Sequence, residues 1–209
     1  INKAKSVLKT ELNENIYVTL TDHIQFTINR YYQGMQLKND MLWHIKRMYP
    51  TEYHLGEEAS SLIEKEFKIK LLEDESSFIA LHIVSAQLNE NITSVVNITK
   101  MVQDILSIVT YHFNIILNED SIHYFRFLTH LKFFAQRISN KILYEDDNDD
   151  SLFDAIVNKY SDAYECATKI GAYIKNTQNR NVTNEELMYL TIHIKRMIME
   201  DNKNERSSL

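Results

Sequence analysis

Residues 124–137 read YFRFLTHLKFFAQR, a strongly apolar stretch that predicts a helix. The segment holds a single histidine, His130. Arg126 lies one helical turn before this histidine and Arg137 lies two turns after it. An imidazole placed between two guanidinium groups on one apolar helix is an unusual combination, and it directs attention to the rest of the chain.

The same arrangement occurs earlier, in residues 17–30, which read YVTLTDHIQFTINR. At one constant offset His23 aligns with His130 and Arg30 aligns with Arg137. A second, slightly larger offset aligns Tyr49, Tyr53, Ile63, Glu75 and His82 with Tyr160, Tyr164, Ile174, Glu186 and His193. Because both the spacing and the order of the segments repeat, the sequence predicts an internal duplication.

The composition indicates an all-α fold. The 209 residues include only 3 Gly and 1 Pro, the residues that punctuate strands and turns, whereas 44% are hydrophobic. We therefore expect two tandem homologous helical domains, spanning residues 1–92 and 93–209, with the polar segment 89–93 at the boundary. Predicted helices of the first domain cover residues 1–12, 16–32, 37–49, 52–67 and 74–88. Those of the second cover 95–117, 121–143, 152–177 (with a break near Tyr160) and 183–199, the last opened by a predicted capping box of Thr183 and Glu186. The polar tail from Asp201 is expected to fray.

Charge and cysteine content exclude several classes of protein. The formal net charge of −6 divides evenly between the two halves, so neither half has the basic excess that direct nucleic-acid binding requires. Cys166 is the only cysteine, which rules out an internal disulfide and favours a reducing, cytoplasmic setting. No apolar run is expected to reach the roughly 18 residues that span a bilayer. Since the chain begins with Ile1 in helical register, we expect it to be part of a longer protein.

Metal and cofactor sites are not expected. The chain lacks the closely spaced histidines of zinc sites, and the acidic segment 145–150 lacks the glycine and the terminal glutamate of a calcium loop. A solvated run of charge explains that segment. The prediction is no metal and no cofactor.

Four histidines fall at aligned positions, which makes them candidates for phosphoryl acceptance. Neutral imidazole is a nucleophile near pH 7, and nearby arginines stabilise the charge of the phosphate that it receives. Asp22, beside His23, is a candidate to hold one ring nitrogen, whereas the second copy has Thr129 at that place. The competing interpretation is that the histidines are structural core residues. The candidate acceptors are His23, His82, His130 and His193, with Asp22, Arg30, Arg126 and Arg137 in supporting positions.

The chain resembles a known family, the BglG/SacY/LicT transcriptional antiterminators. The resemblance is to the tandem phosphotransferase-system regulation domains of that family, and it covers essentially all 209 residues. The similarity rests on five segments and is greatest to LicT-like, β-glucoside-type members, although a sucrose-type sensor stays open. Thr129 before His130 is itself what the family shows in its second domain. The segments are LTDH (20–23), FIALHIV (78–84), HYFRFLTHLKFFAQR (123–137), AYEC (163–166) and LTIHI (190–194).

The resemblance implies a specific function. Each domain would be a five-helix bundle, and the protein would act as a homodimer pairing like domain with like. A phosphotransferase-system sugar permease (enzyme II) would phosphorylate His23 and His82 when its sugar is absent, which inactivates the protein. The phosphocarrier HPr would phosphorylate His130 and His193 when preferred sugars are scarce, which activates it. RNA would be bound only through an N-terminal domain that is absent from this chain.

Three rivals stay open. The first is a helical phosphohydrolase that uses His and Asp, although only the first copy places an Asp beside its histidine. The second is a sensor module of a transcriptional activator with the same regulation domains. The third is a plain interaction module with structural histidines.

Overall fold

The structure is a computed structural model that describes the backbone of residues 1–140 and 150–206 and the side chains of residues 1–140 and 151–199. Over that part of the chain the secondary structure is helical, with no strand. The first five helices are α1 (Asn2–Leu8), α2 (Ile16–Tyr32), α3 (Leu42–Met48), α4 (Pro50–Phe67) and α5 (Glu73–Leu88). The next five are α6 (Ile92–Phe113), α7 (Ile122–Ser139), α8 (Asp150–Lys159), α9 (Ser161–Gln178) and α10 (Asn184–Arg206).

The predicted all-α, tandem five-helix organisation is confirmed. The chain separates into two compact units, Ile1–Thr99 and Lys100–Leu209, and this division falls within α6. In the first unit α5 packs against α2, α3 and α4, and in the second α10 packs against α7, α8 and α9. The predicted domain limits, residues 1–92 and 93–209, differ slightly from this division and stay a prediction.

The ends of several helices follow from local sequence. Pro50 occupies the first turn of α4, where its missing N–H costs nothing. The break predicted near Tyr160 is confirmed, because Tyr160 separates α8 from α9. Tyr49 stands at the same place in the first copy, and the two residues have nearly the same backbone angles (φ −131°, ψ 57° and φ −128°, ψ 46°). Gly34 ends α2 with φ 71°, a conformation that glycine adopts without strain.

The helix predicted from residue 37 begins later, at Leu42. The side-chain oxygen of Asn39 accepts a hydrogen bond from the Met41 N–H, and the Asn39 N–H donates to Asp74 at the start of α5. These bonds give the backbone an alternative to helix formation. At the other end of the chain, α10 continues to Arg206, beyond the predicted end at residue 199. The acidic segment 145–150 lies almost wholly outside the described residues.

The expectation that no apolar segment is long enough to span a bilayer is wrong. Helix α6 is 22 residues long and apolar enough, by length and composition alone, to cross a bilayer. One such helix is weak evidence, since a core helix passes the same test. Val102, Ile105 and Val109 of α6 are fully buried in the protein, which is the pattern of a core helix.

Candidate functional site

The first domain brings His23 of α2 and His82 of α5 together, with ring centroids 5.0 Å apart. His82 is buried, with 7% of its surface exposed, whereas His23 is partly exposed. The Nδ1 atom of His82 lies 3.3 Å from the hydroxyl of Thr19, one turn before His23. Phe78, one turn before His82, packs against His23, with ring centroids 5.7 Å apart. The pair forms because α2 and α5 are packed against each other.

A buried carboxylate, Glu75, organises the polar side of this first pair. Its Oε2 atom lies 3.1 Å from Nε2 of His23 and accepts a hydrogen bond from the Thr27 hydroxyl at 2.9 Å. Its Oε1 atom is 3.0 Å from the Arg30 guanidinium, which also donates to Thr27. Burial raises the pKa of Glu75, but the hydrogen bonds of His23 and Thr27 and the charge of Arg30 outweigh it and hold that pKa below its ordinary value. Glu75 is therefore ionised at neutral pH.

The second domain brings His130 of α7 and His193 of α10 even closer, with ring centroids 4.4 Å apart. Tyr189 packs against both imidazoles, at 5.1 Å from His130 and 4.5 Å from His193. Both histidines are partly exposed. The four aligned histidines therefore form two pairs, one in each domain.

Glu186, the residue of the second domain that aligns with Glu75, makes different contacts. Glu186 is 3.0 Å from the Arg137 guanidinium, which parallels the pair of Arg30 and Glu75. Glu186 also completes the predicted capping box, because its carboxylate accepts from the Thr183 N–H and its own N–H donates to the Thr183 hydroxyl, both at 3.2 Å. The first domain has Leu72 at the capping position, which leaves Glu75 available for His23.

Arginine is concentrated at the second pair. Arg126 is exposed on α7, and both Arg126 and Arg196 act electrostatically on His193. Burial, followed by the charges of His130, Arg196 and Arg126, lowers the pKa of His193 to about 4. A phosphoryl group at this site would find two guanidinium groups within electrostatic range.

Three of the four histidines are held in the neutral form. Burial, with a further contribution from His23, lowers the pKa of His82 to about 4. Burial also lowers the pKa of His130 below its ordinary value. Neutral imidazole is the nucleophilic form, so these environments favour phosphoryl acceptance near neutral pH.

The supporting role that the sequence suggested for Asp22 is not seen. Asp22 is exposed, and the carboxylate on the His23 ring is that of Glu75. A helical residue adjacent to a histidine points to a different side of the helix, so it does not reach the ring. Arg30 is paired with Glu75, and Arg137 lies against Glu186 and the ring of Phe134.

Sequence reasoning gave no role at the site to Glu75, Thr19, Tyr189 or Arg196. One signal was present for Glu75. It lies seven positions before His82, two helical turns away on the same face, and it aligns with Glu186, which has the same spacing from His193. Thr19 and Arg196 carry no comparable signal, because each is a single polar residue on an amphipathic helix.

A metal-dependent alternative gains no support from the described residues. Across residues 1–140 and 151–199 no group of three or more His, Cys, Asp and Glu side chains is arranged to hold a metal ion. The first pair is surrounded by Thr19, Phe78 and Glu75. The second is surrounded by Tyr189, Arg126 and Arg196.

Comparison with known proteins identifies a family and several relatives of this chain. The profile of a family described as the PRD domain matches residues 1–86 and 103–197. The transcription antiterminator LicT of Bacillus subtilis (strain 168) is 50% identical over 200 residues, which are 96% of this chain and 72% of that protein. The beta-glucoside operon antiterminator of Dickeya chrysanthemi is 43% identical over 197 residues, 94% of this chain and 69% of that protein. The PtsGHI operon antiterminator of Bacillus subtilis (strain 168) is 32% identical over 172 residues, which are 82% of this chain and 60% of that protein.

Proposed function

This chain belongs to the family of transcription antiterminators that contain PRD domains, and we propose that its two histidine pairs are the phosphorylation sites through which the sugar phosphotransferase system controls it. The observation that carries the proposal is the recurrence of the paired imidazoles. His23 and His82 lie 5.0 Å apart, and His130 and His193 lie 4.4 Å apart, on equivalent helices of two domains. Repeated core histidines without a chemical role would be free to diverge.

The two pairs receive different donors in this proposal. The phosphocarrier HPr phosphorylates the second pair, where Arg126 and Arg196 favour an incoming phosphate and then stabilise it. A sugar permease phosphorylates the first pair, where the nearby guanidinium group of Arg30 is already engaged by Glu75. Different donors fit the different charge around the two sites.

The protein is proposed to act as a regulator and not as an enzyme, in the cytoplasm, where HPr operates. RNA contact is assigned to a part of the antiterminator outside these 209 residues. The acidic balance of the chain supports that assignment, since a net charge of −6 disfavours the binding of a polyanion such as RNA.

Pairing of like domains in a homodimer is part of the same proposal. Phe125 and Phe133 flank His130 along α7 and are 66% and 57% exposed, which is unusual for large aromatic side chains. A seam at this face would place the second histidine pair beside the partner, so that a new phosphate changes the charge that the interface must accommodate. Sedimentation equilibrium before and after phosphorylation of the second pair should show tighter self-association. Unchanged or weaker association would contradict this part of the proposal.

The decisive experiment is reconstitution. The chain is incubated with HPr, with phosphoenolpyruvate as the phosphoryl source, and with the enzyme that transfers phosphate from phosphoenolpyruvate to HPr. The intact mass of the chain is then measured. Peptide mapping under conditions that preserve phosphohistidine then locates the phosphate. Phosphate is expected on His130 and His193, and a parallel reaction with the phosphorylated permease should modify His23 and His82. His44→Gln, which changes an unaligned histidine, is the matched control and should leave the incorporated mass unchanged. Failure of both donors to add phosphate would overturn the proposed function.

A further inference from the structure

The first histidine pair contains an atomic asymmetry that the second pair does not share. Nε2 of His23 faces a carboxylate, Oε2 of Glu75, at 3.1 Å, and the Thr27 hydroxyl lies 3.5 Å from the same nitrogen. In the second domain, the described polar contacts of Glu186 go to Arg137 and to the Thr183 cap.

Glu75 is equipped to act only as an acceptor. Its other oxygen is bound to Arg30 at 3.0 Å, and the Thr27 hydroxyl donates to the same Oε2 that faces His23. An ionised carboxylate has no proton to donate, so the bond to the ring requires that Nε2 of His23 bear the hydrogen. The neutral ring is then the Nε2–H tautomer, and the lone pair is on Nδ1.

The Nδ1 atom of His23 is the free nitrogen of the ring. No hydrogen bond to it is found among the described residues, and it is not among their buried side-chain atoms that lack a partner, so it contacts solvent. His82 is oriented differently, because its Nδ1 atom is directed to the Thr19 hydroxyl at 3.3 Å.

We propose that Glu75 is a positioning residue that makes Nδ1 the phosphoryl-accepting atom of His23. This inference rests on the proposed function, since it specifies how one of the proposed acceptors reacts. It also separates the two domains, because Glu186 is committed to Arg137 and the helix cap and does not impose the same choice.

The transfer step balances with the groups present. The Nδ1 lone pair attacks the phosphorus of a donor phosphohistidine or phosphocysteine, a P–N bond forms, and the bond from phosphorus to the donor atom breaks with its electron pair staying on the donor. The proton stays on Nε2. The ring therefore becomes cationic as it receives the phosphoryl group, and the Glu75 carboxylate stabilises that charge while Arg30 keeps the carboxylate ionised.

The tautomer is tested on the unphosphorylated chain. With ¹⁵N-labelled histidine, a long-range ¹H–¹⁵N correlation spectrum distinguishes a protonated ring nitrogen from one with a lone pair, and the His23 signals are those lost in His23→Gln. The expected result is a protonated Nε2 and an unprotonated Nδ1. The Nδ1–H tautomer would overturn the inference, whatever the outcome of phosphorylation.

The phosphorylated atom is tested after transfer from the permease. Phosphorus on Nδ1 has one ring C–H three bonds away, whereas phosphorus on Nε2 has two, so a ¹H–³¹P correlation spectrum distinguishes the isomers. One cross-peak is expected for the His23 phosphate, and two cross-peaks would overturn the inference. Phosphate that reaches only His82 would also overturn it. Absence of any phosphate from the first domain would instead contradict the proposed function, and the tautomer spectrum would still decide the role of Glu75.

A matched pair of variants separates positioning from folding. Glu75→Gln keeps the size of the side chain but can donate as well as accept, so His23 should become a mixture of tautomers and of phosphate isomers, with transfer about tenfold slower. Glu186→Gln should leave the tautomer and isomer of His23 unchanged. A Glu75→Gln chain that still shows a single Nδ1 isomer at the wild-type rate would overturn the assignment of Glu75.

Discussion

The two domains use equivalent helices to pair two histidines, but they surround the pair with different chemistry. In the first domain a buried glutamate, a threonine and an arginine form a closed network on one histidine. In the second domain an aromatic ring lies against both histidines and two arginines act on one of them. The replacements are Thr19 by Arg126, Thr27 by Phe134, Phe78 by Tyr189 and Ser85 by Arg196. Duplication therefore preserved the backbone and the paired histidines, while the charge around them diverged.

The largest difference that we expect to measure is in packing. Gly56 of α4 aligns with Ala167 of α9, which is fully buried. A Cβ atom at Gly56 would overlap the backbone carbonyl of Ser76 in α5, and a carbonyl cannot move aside as a side chain can. Gly56→Ala should lower the free energy of unfolding by about 1–3 kcal/mol in urea titrations.

The matched control for packing is Gly171→Ala. The nearest atom to a Cβ at Gly171 is Cδ2 of Leu187 at 3.4 Å, an ordinary contact, so this change should be neutral or slightly stabilising in a helix. Equal stability of the two variants would show that the close approach of α4 to α5 relaxes without cost.

Acid should affect both domains alike. His82 and His193 each have a folded-state pKa of about 4, below the ordinary value of 6.5. Between pH 6.5 and 4 the unfolded chain therefore binds a proton at these positions and the folded chain does not, so stability falls as the pH falls. Each site should contribute a slope of about 1.4 kcal/mol per pH unit within that window.

Urea titrations at several pH values measure this slope. His82→Gln and His193→Gln should each reduce it by a similar amount, and the double variant should reduce it by the sum of the two. A slope that is unchanged in either single variant would mean that the histidine concerned is protonated in the folded protein.

Exchange of one side chain should test the division between donors. Arg126→Thr gives the second domain the residue that the first has at Thr19, and it removes a guanidinium from the field at His193. Phosphorylation by HPr should slow by about tenfold, since a charge-assisted contact to phosphate contributes on the order of 1.5 kcal/mol or more. Because Arg126 is exposed, the stability should change little.

Rates of mass gain with HPr measure this effect. Lys65→Thr, which removes an exposed cation from α4 of the first domain, is the control for a general loss of charge. Equal slowing in both variants would assign the effect to net charge and not to the place of Arg126.

The smallest effect is expected at the residues that directly precede His23 and His130, which differ between the two domains. Asp22→Thr and Thr129→Asp exchange the residues that precede His23 and His130. Asp22 is exposed and does not hold the ring, so each change should alter the free energy of unfolding by less than about 0.5 kcal/mol. The tautomer of His23, measured by ¹⁵N shifts, should also be unchanged, and a switch of tautomer in Asp22→Thr would return the positioning role to Asp22.

The sequence by itself determined the all-α class, the duplication and the identity of the four paired histidines. Low Gly and Pro content and two constant offsets were sufficient for this, because helix periodicity and repeat spacing are properties of the chain alone. The same holds for the Thr183 and Glu186 cap and for the break at Tyr160, where the interacting groups lie within a few residues of one another.

Only the tertiary structure decided what surrounds each histidine. Glu75 meets His23, and Thr19 meets His82, because α2 packs on α5, and these residues are far apart along the chain. Asp22 was the natural candidate from sequence because it is adjacent to His23, yet adjacency on a helix directs two side chains to different sides. The partners of a side chain are set by which helix faces meet. That choice depends on the packing of whole apolar faces, not on any short motif.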